Sequence, residues 1–136
     1  MRVILFQNRF AGKVRDGSKP QTIRRTARCQ LGDTLSLRRW TGKPRRSKQE
    51  TLRTEICQSV SPVIIGYGPD RAGISVNGVL CTMPECEALA TADGFACVAD
   101  MLDWFDETHG LPFVGVLIRW VPTKLDTSNA GGERRR

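Results

Sequence analysis

The chain has 136 residues, 40% of them hydrophobic, and a formal net charge of +7, which suits one domain with its own core and is too short for two. No apolar run reaches the roughly 18 residues that cross a bilayer, and residues 1–6 lack the apolar core and the cleavage site of a signal peptide. We therefore expect a cytoplasmic protein without a membrane partner.

The first predicted elements are two strands with a short helix between them. Residues 2–6 form a β-branched and aromatic run that predicts a strand, and residues 7–17 are compatible with a short helix that ends at Gly17. After a turn at Gly32, residues 34–40 alternate leucines with polar residues, which is the pattern of a half-buried strand.

A hairpin leads into the second half of the chain. Residues 41–50 predict its loop and residues 51–60 its return strand, and further short strands are predicted over 62–68 and 73–80, separated by glycine-rich turns. Three residues of the return strand share one face, namely Leu52, Ile56 and Val60.

Two helices and a final strand follow. Residues 84–92 and 94–105 predict helices, the second of them amphipathic, and residues 112–121 predict the last strand. The amphipathic helix spaces Phe95, Val98, Leu102 and Phe105 at helical intervals. The strand places Val114, Val116, Ile118 and Trp120 on one face.

The order of these elements predicts an α+β fold. About six short strands, with a pair of helices inserted before the last, suggest a small mixed β-barrel with two or three helices packed on it. This domain covers residues 1–121, and the polar, glycine-rich residues 122–136 predict a disordered basic tail. We assign Trp104, Phe105 and Trp120 to the core.

The positive charge is concentrated in one half of the chain. Residues 1–53 carry 15 Lys and Arg against 3 Asp and Glu, whereas residues 54–121 carry 2 against 9. Such a basic block attracts polyanions, of which nucleic acid is the commonest, although a solvated basic surface remains the alternative. The candidate nucleic-acid-binding residues, which we call the basic loop, are Arg38, Arg39, Trp40, Lys43, Arg45, Arg46 and Lys48. Trp40 either stacks on a base or closes a barrel end.

The cysteines and the histidine predict no metal site. The five cysteines form an odd set without a C-x-x-C pair, so we expect reduced, mostly buried thiols. His109 lies at a predicted helix exit and has no Cys or His neighbour at ligand spacing. We expect neither a metal nor another cofactor.

The segment "DGSKPQTIRR", residues 16–25, is the densest cluster of reactive residue types. Lys19 precedes Thr22 by three residues across a turn stiffened by Pro20. This is the arrangement of a Ser/Thr–Lys nucleophile pair, in which a desolvated lysine takes the hydroxyl proton. The alternative is a basic turn that leads into a strand.

The succession of motifs resembles an ASCH domain, a member of the PUA-like superfamily of small β-barrels associated with RNA. The resemblance spans roughly residues 3–121 and rests on the order of five motifs. These are "FQNRF", "DGSKPQTIRR", "GDTLSLR", "ADGF" ahead of the amphipathic helix, and the closing "FVGVLIRW".

Within that group, the bacterial N4-acetylcytidine amidohydrolases carry a similar opening and a G-x-K-x-x-T-I-R motif. The resemblance implies Lys19 and Thr22 as catalytic residues, with Asp93 at or near the position of a family glutamate. Asp93 also suits the N-cap of the amphipathic helix predicted over residues 94–105, and this interpretation stays open. The ligand-binding residues implied around the motif are Arg24, Arg25, Gly17 and Ser18.

Two functions therefore remain. The first is an RNA-binding or nucleoside-binding domain whose pocket is built around the G-x-K-x-x-T-I-R motif. The second is a hydrolase, either an amidohydrolase that acts on N4-acylated cytidine through Thr22, Lys19 and an acid or a ribonuclease. A protein-interaction domain is the third alternative, and the sequence predicts no oligomeric state.

Overall fold

The computed structural model describes residues 1–121 and folds them into three helices and seven strands. In chain order the elements are β1 (Arg2–Leu5), α1 (Asn8–Asp16), β2 (Gln21–Arg24), β3 (Thr34–Trp40), β4 (Gln49–Tyr67), β5 (Gly73–Val76), β6 (Val79–Leu80), α2 (Met83–Ala92), α3 (Val98–His109) and β7 (Phe113–Trp120). The predicted tail, residues 122–136, lies outside the described residues.

The strands form a mixed sheet centred on the long strand β4. Strand β3 pairs with the first part of β4, β7 with its second part, and β5 with its end. Strand β1 lies beyond β3 in parallel orientation, and β2 lies beyond β7 in antiparallel orientation. Within residues 1–121 no ladder joins β1 to β2, and we call the gap between them the seam. The predicted α+β fold is thus confirmed, whereas its closure into a barrel is not.

Strand β4 corrects two sequence predictions. The strands predicted over 51–60 and 62–68 are one continuous element of 19 residues. Ile56 is 55% exposed and does not share the buried face of Leu52. The reason is a bulge opposite the Leu37–Arg38 step, after which the buried alternation continues through Glu55 and Cys57.

Strand β7 departs from its predicted face in a similar way. Val114 is 60% exposed, because Phe113 and Leu117 occupy the buried side of the first part of the strand. Ile118 and Trp120 are buried as predicted. Near its end the strand is therefore covered on both faces.

Local sequence explains where the helices begin and end. Helix α1 ends at Gly17, whose φ of 87° is the left-handed conformation that favours glycine. Helix α2 starts with a capping box between Thr82 and Glu85. Helix α3 begins at Val98, four residues later than predicted, and the carboxylate of Glu87 in α2 accepts a hydrogen bond from the Val98 N–H at 2.9 Å.

An aromatic cluster fills the space between the helices and the sheet. Phe95, just before α3, contacts Phe10 of α1 with ring centroids 5.4 Å apart, and Trp104 contacts Phe105 at 4.9 Å. Phe105 and Trp120 are buried as predicted, whereas Trp104 is only half-buried. Its exposed part faces the cavity described next.

Candidate functional site

A buried ion pair joins the basic motif to the end of α2. The Lys19 ammonium donates to the main-chain carbonyl of Asp93 at 2.7 Å and to its Oδ1 at 3.1 Å. The two side chains are only 3% and 5% exposed. Since buried charges are costly unless they are paired and hydrogen-bonded, each residue depends on the other for its place in the fold.

Two glycine turns bring this pair together. Beyond Gly17 the chain folds back, so that the Lys19 N–H donates to the Lys13 carbonyl at 3.0 Å. Gly94, which follows Asp93, has a φ of 97°, and a Cβ there would lie 3.2 Å from the Lys19 Cδ. The ammonium of Lys13 donates to the Gly94 carbonyl at 3.0 Å and fixes the second turn.

Burial shifts both members of the pair towards their neutral forms. Desolvation lowers the pKa of Lys19 below its ordinary value of 10.5, and the attraction of Asp93 offsets part of this effect. Desolvation likewise raises the pKa of Asp93 above 3.8, against the opposing effects of Lys19 and of a hydrogen bond from Gln21. Burial thus opposes the charged form of each side chain, and the ion pair between them offsets part of that cost.

Arg24 positions the hydroxyl of Thr22. Its Nε donates to Thr22 Oγ1 at 3.1 Å, and its Nη2 donates across the seam to the Leu5 carbonyl at 2.7 Å. Because Thr22 accepts this bond, its own proton stays available for a ligand or a base. Burial lowers the pKa of Arg24, and Asp93 counteracts this shift. Within residues 1–121 no hydrogen bond joins Lys19 to Thr22.

These groups face a cavity of about 250 Å³, which we call the Lys19 cavity. Lys19, Thr22, Arg24 and Asp93 supply its polar side. Its other walls are largely aromatic, and the Lys19 Nζ lies 5.0 Å from the ring centroid of Phe10. The remaining lining residues include Phe6, Gln7, Phe95, Trp104, Phe105 and His109.

The structure separates the predicted site residues into two groups. Lys19, Thr22, Arg24, Arg25 and Asp93 line one cavity although they lie up to 74 positions apart in the chain. By contrast, Gly17 and Ser18 do not line the cavity. They form the turn that leads from α1 to Lys19.

Asp93 is not the N-cap of α3, the helix predicted over residues 94–105. It is the C-cap residue of α2, and Cys97 is the N-cap residue of α3. Four residues therefore separate Asp93 from the helix that it was expected to cap. The N-cap interpretation is therefore wrong, and the carboxylate accepts a hydrogen bond from Lys19 instead.

Sequence reasoning missed the aromatic walls and Gln21. Gln21 is 3% exposed, and its Nε2 donates to Asp93 Oδ1 at 3.4 Å. His109 is the last residue of α3, as predicted, and its ring, which lies 4.8 Å from that of Phe113, also lines the cavity. The sequence signal for these walls is the pair of phenylalanines in "FQNRF". Phe6 precedes α1, and Phe10 lies in its first turn.

The basic loop consists of the end of β3 and the hairpin loop that connects β3 to β4. Hydrogen bonds inside the loop, such as that from Thr41 Oγ1 to the Lys48 carbonyl at 2.8 Å, define its path. Arg39 is ion-paired with Glu50 at 2.7 Å, and Arg38 donates to Ser36 and Gln49. The remaining cations are exposed and form no ion pair within the described part of the chain: Lys43, Arg45, Arg46 and Lys48.

Trp40 is the last residue of β3, at the start of the hairpin. It is half-buried and lines a cavity of about 350 Å³ with Gly42 and Pro44, which we call the Trp40 cavity. This cavity and the Lys19 cavity share residues 5–7. The two cavities therefore adjoin each other where β1 leads into α1.

The described residues hold no group of three or more His, Cys, Asp or Glu side chains placed to bind a metal ion. The five cysteines are free, and Cys57 and Cys86 are buried while Cys97 is exposed. No helix among residues 1–121 is long and apolar enough to cross a membrane. Comparison of the chain with protein-family models, curated proteins and solved structures finds no match.

Proposed function

We propose that the Lys19 cavity binds a nucleobase, either of RNA or of a free nucleoside. The observation that carries this proposal is the division of the cavity into aromatic walls and one polar side formed by Lys19, Asp93, Thr22 and Arg24. We propose further that the sheet is a PUA-like barrel of the ASCH type that is open at the seam, so that the cavity lies beside its unpaired strands.

The chemistry of the cavity matches a base. Aromatic side chains stack on a planar ring, and each such contact contributes about 1–3 kcal/mol. The polar side offers a donor in Lys19, an acceptor in the Asp93 carboxylate, and a hydroxyl of Thr22 that does both. The edge of a pyrimidine presents donors and acceptors side by side, which these groups complement.

The basic loop supplies the attraction for a phosphate backbone. Four of its cations are exposed and outside any ion pair among the described residues. Trp40 lines a cavity that shares residues 5–7 with the Lys19 cavity. Binding through such charges weakens with salt and carries no sequence information. In this proposal the cavity selects the base and the loop holds the chain.

Calorimetric titration with the four ribonucleosides and N4-acetylcytidine tests the proposal. We expect at least one of them to bind the wild type and to lose affinity in Asp93→Asn, which keeps the shape of the side chain. Asp103→Asn, on the exposed side of α3, is the matched control and keeps wild-type affinity. Binding that is unaffected by Asp93→Asn, or no binding at all, contradicts the proposal.

One observation favours an amidohydrolase as the second candidate. Thr22, Lys19 and Asp93 all line the same cavity, and the lowered pKa of Lys19 suits it to act as a base. Neutral Lys19 would take the Thr22 proton as Oγ1 attacks the acyl carbon of N4-acylated cytidine. Lys19 would then protonate the departing N4, which releases cytidine and leaves an ester on Thr22. Attack by water, with Lys19 again as base, would free the carboxylic acid and restore the hydroxyl.

Turnover of N4-acetylcytidine, followed by chromatography, tests this candidate. We expect cytidine to form with the wild type and not with Thr22→Val, which keeps the volume of the side chain but has no hydroxyl. Lys19→Ala also abolishes turnover if Lys19 is the base. Full activity in Thr22→Val refutes this mechanism and leaves the binding proposal intact.

A further inference from the structure

The seam between β1 and β2 holds a third cavity, which is rich in guanidinium groups. Its volume is about 360 Å³, and we call it the seam cavity. It shares Leu5, Arg24 and Arg25 with the Lys19 cavity, so the two adjoin each other. Four arginines line it, namely Arg2, Arg24, Arg25 and Arg28.

Asp93 attracts Arg24, but little negative charge offsets the other three arginines. Arg25 and Arg28 are exposed and form no ion pair within residues 1–121. Arg2 meets one carboxylate, that of Asp33, at 3.8 Å. Four cations around one cavity repel one another, and an anion between them would relieve that repulsion.

The open edge of β1 fixes the direction of Arg24. Phe6 N–H donates to the Arg38 carbonyl of β3 at 2.9 Å, whereas the Leu5 carbonyl accepts from Arg24 Nη2 at 2.7 Å on the opposite side of the strand. With Nε bound to Thr22, the guanidinium is held at two points. Its Nη1 has no hydrogen-bond partner among the described residues and stays available for a ligand.

We propose that the seam cavity binds a phosphate group of the nucleotide whose base occupies the Lys19 cavity. This inference rests on the proposed function. Arg24 and Arg25 stand where the two cavities meet, which is the place of the sugar-phosphate link if the base lies beside Lys19. Guanidinium forks match phosphate oxygens in geometry and charge. The ligand is therefore a nucleoside phosphate or an RNA chain, and not an unphosphorylated nucleoside.

Calorimetry of nucleosides beside their 3′- and 5′-monophosphates, and of a dinucleotide, tests the inference. We expect one monophosphate to bind about tenfold or more tightly than its nucleoside, because hydrogen bonds between charged groups are the strong ones. Arg28→Gln should remove most of this gain and leave nucleoside affinity unchanged, since Arg28 lines the seam cavity and not the Lys19 cavity. Arg71→Gln, an exposed arginine that lines neither cavity, is the matched control and should keep the gain.

The outcomes separate this inference from the proposed function. A nucleoside that binds as tightly as both of its monophosphates and as the dinucleotide overturns the inference and leaves the base-binding proposal standing. The inference is also overturned if the double variant Arg28→Gln/Arg2→Gln still binds the monophosphate more tightly than the nucleoside. Failure of every nucleoside and nucleotide to bind overturns both. A dinucleotide that binds more tightly than the nucleoside, when neither monophosphate does, indicates that the bound phosphate is a diester. That outcome supports an RNA chain as the ligand.

Discussion

The ammonium of Lys19 donates to two acceptors of the same residue, the carbonyl and the carboxylate of Asp93. One acceptor belongs to the main chain at the end of α2, so the lysine fixes the helix end as well as the side chain. The nearly complete burial of both groups makes this contact a structural requirement and a feature of the proposed site.

Removing the lysine alone should destabilise the protein strongly. Lys19→Met leaves the Asp93 carboxylate buried without its cation, which costs about 3–5 kcal/mol of unfolding free energy. The double variant Lys19→Met/Asp93→Leu removes both charges and should regain most of the loss. Urea denaturation measures both changes.

The surface pair between Arg9 and Asp100 is the control for that experiment. Its atoms are 2.9 Å apart, but its side chains are 43% and 42% exposed. Asp100→Asn should therefore cost at most about 1 kcal/mol. A Lys19→Met protein that unfolds at the wild-type urea concentration would show that the buried pair is dispensable.

Gly94 should be required for the position of Lys19. A Cβ at this residue would lie 3.0 Å from Phe10 Cδ1 and 3.2 Å from Lys19 Cδ, in a backbone of positive φ. Gly94→Ala therefore adds a displaced lysine to the backbone strain. We expect reduced stability and reduced nucleoside affinity, measured by urea denaturation and calorimetry.

Gly110 separates these two effects. It has a φ of 81°, and a Cβ there meets nothing within 4 Å. Gly110→Ala should show the backbone strain of a positive φ alone. Equal losses of affinity in Gly94→Ala and Gly110→Ala would argue against a role for the contact with Lys19.

The amidohydrolase candidate predicts a definite pH dependence. Only neutral Lys19 accepts the Thr22 proton, so turnover rises with pH as the lysine loses its own proton. Because burial lowers the pKa of Lys19, the midpoint of this rise should lie below 10.5. The profile of kcat/KM against pH for N4-acetylcytidine measures it, and a rate that falls as pH rises through this range contradicts Lys19 as the base.

The basic loop should govern the salt dependence of RNA binding. Replacing Arg45, Arg46 and Lys48 by glutamine should weaken binding of a single-stranded oligonucleotide. Each lost phosphate contact should reduce the slope of log K against log salt by roughly 0.7. Fluorescence titration at several salt concentrations measures the slope, and an unchanged affinity and slope would remove the loop from the interface.

The sequence predicted elements and their order better than the contacts between them. Strand β3 spans residues 34–40 as predicted and is followed by a hairpin loop. Its burial does not alternate, because Ser36 is buried between Leu35 and Leu37. Ile56 was assigned to the wrong side because a bulge in a strand changes the alternation without a mark in the sequence. The same limit applies to Val114, whose side depends on pairing with a distant strand.

The candidate site shows the same division. The spacing of Lys19 and Thr22 within "DGSKPQTIRR" fits a nucleophile pair and also a basic turn. The structure places both residues at one cavity, without a hydrogen bond between them among residues 1–121. The contact of Lys19 with Asp93 joins positions 74 apart, and only the resemblance to a known motif order had linked them. Gln21 gave no signal, because a glutamine beside a basic turn is ordinary until its burial is known.

The most direct test uses the three tryptophans, which line three different cavities. Trp104 lines the Lys19 cavity, Trp40 lines the Trp40 cavity, and Trp120 lines another beside α2. In a nitrogen-labelled sample their indole N–H signals are separate reporters, assigned with Trp40→Phe and Trp104→Phe. Addition of a ribonucleoside or N4-acetylcytidine should shift the Trp104 signal with saturation and leave that of Trp120 in place. A Trp104 signal that does not move with any of these compounds, or a shift confined to Trp120, would contradict base binding in the Lys19 cavity.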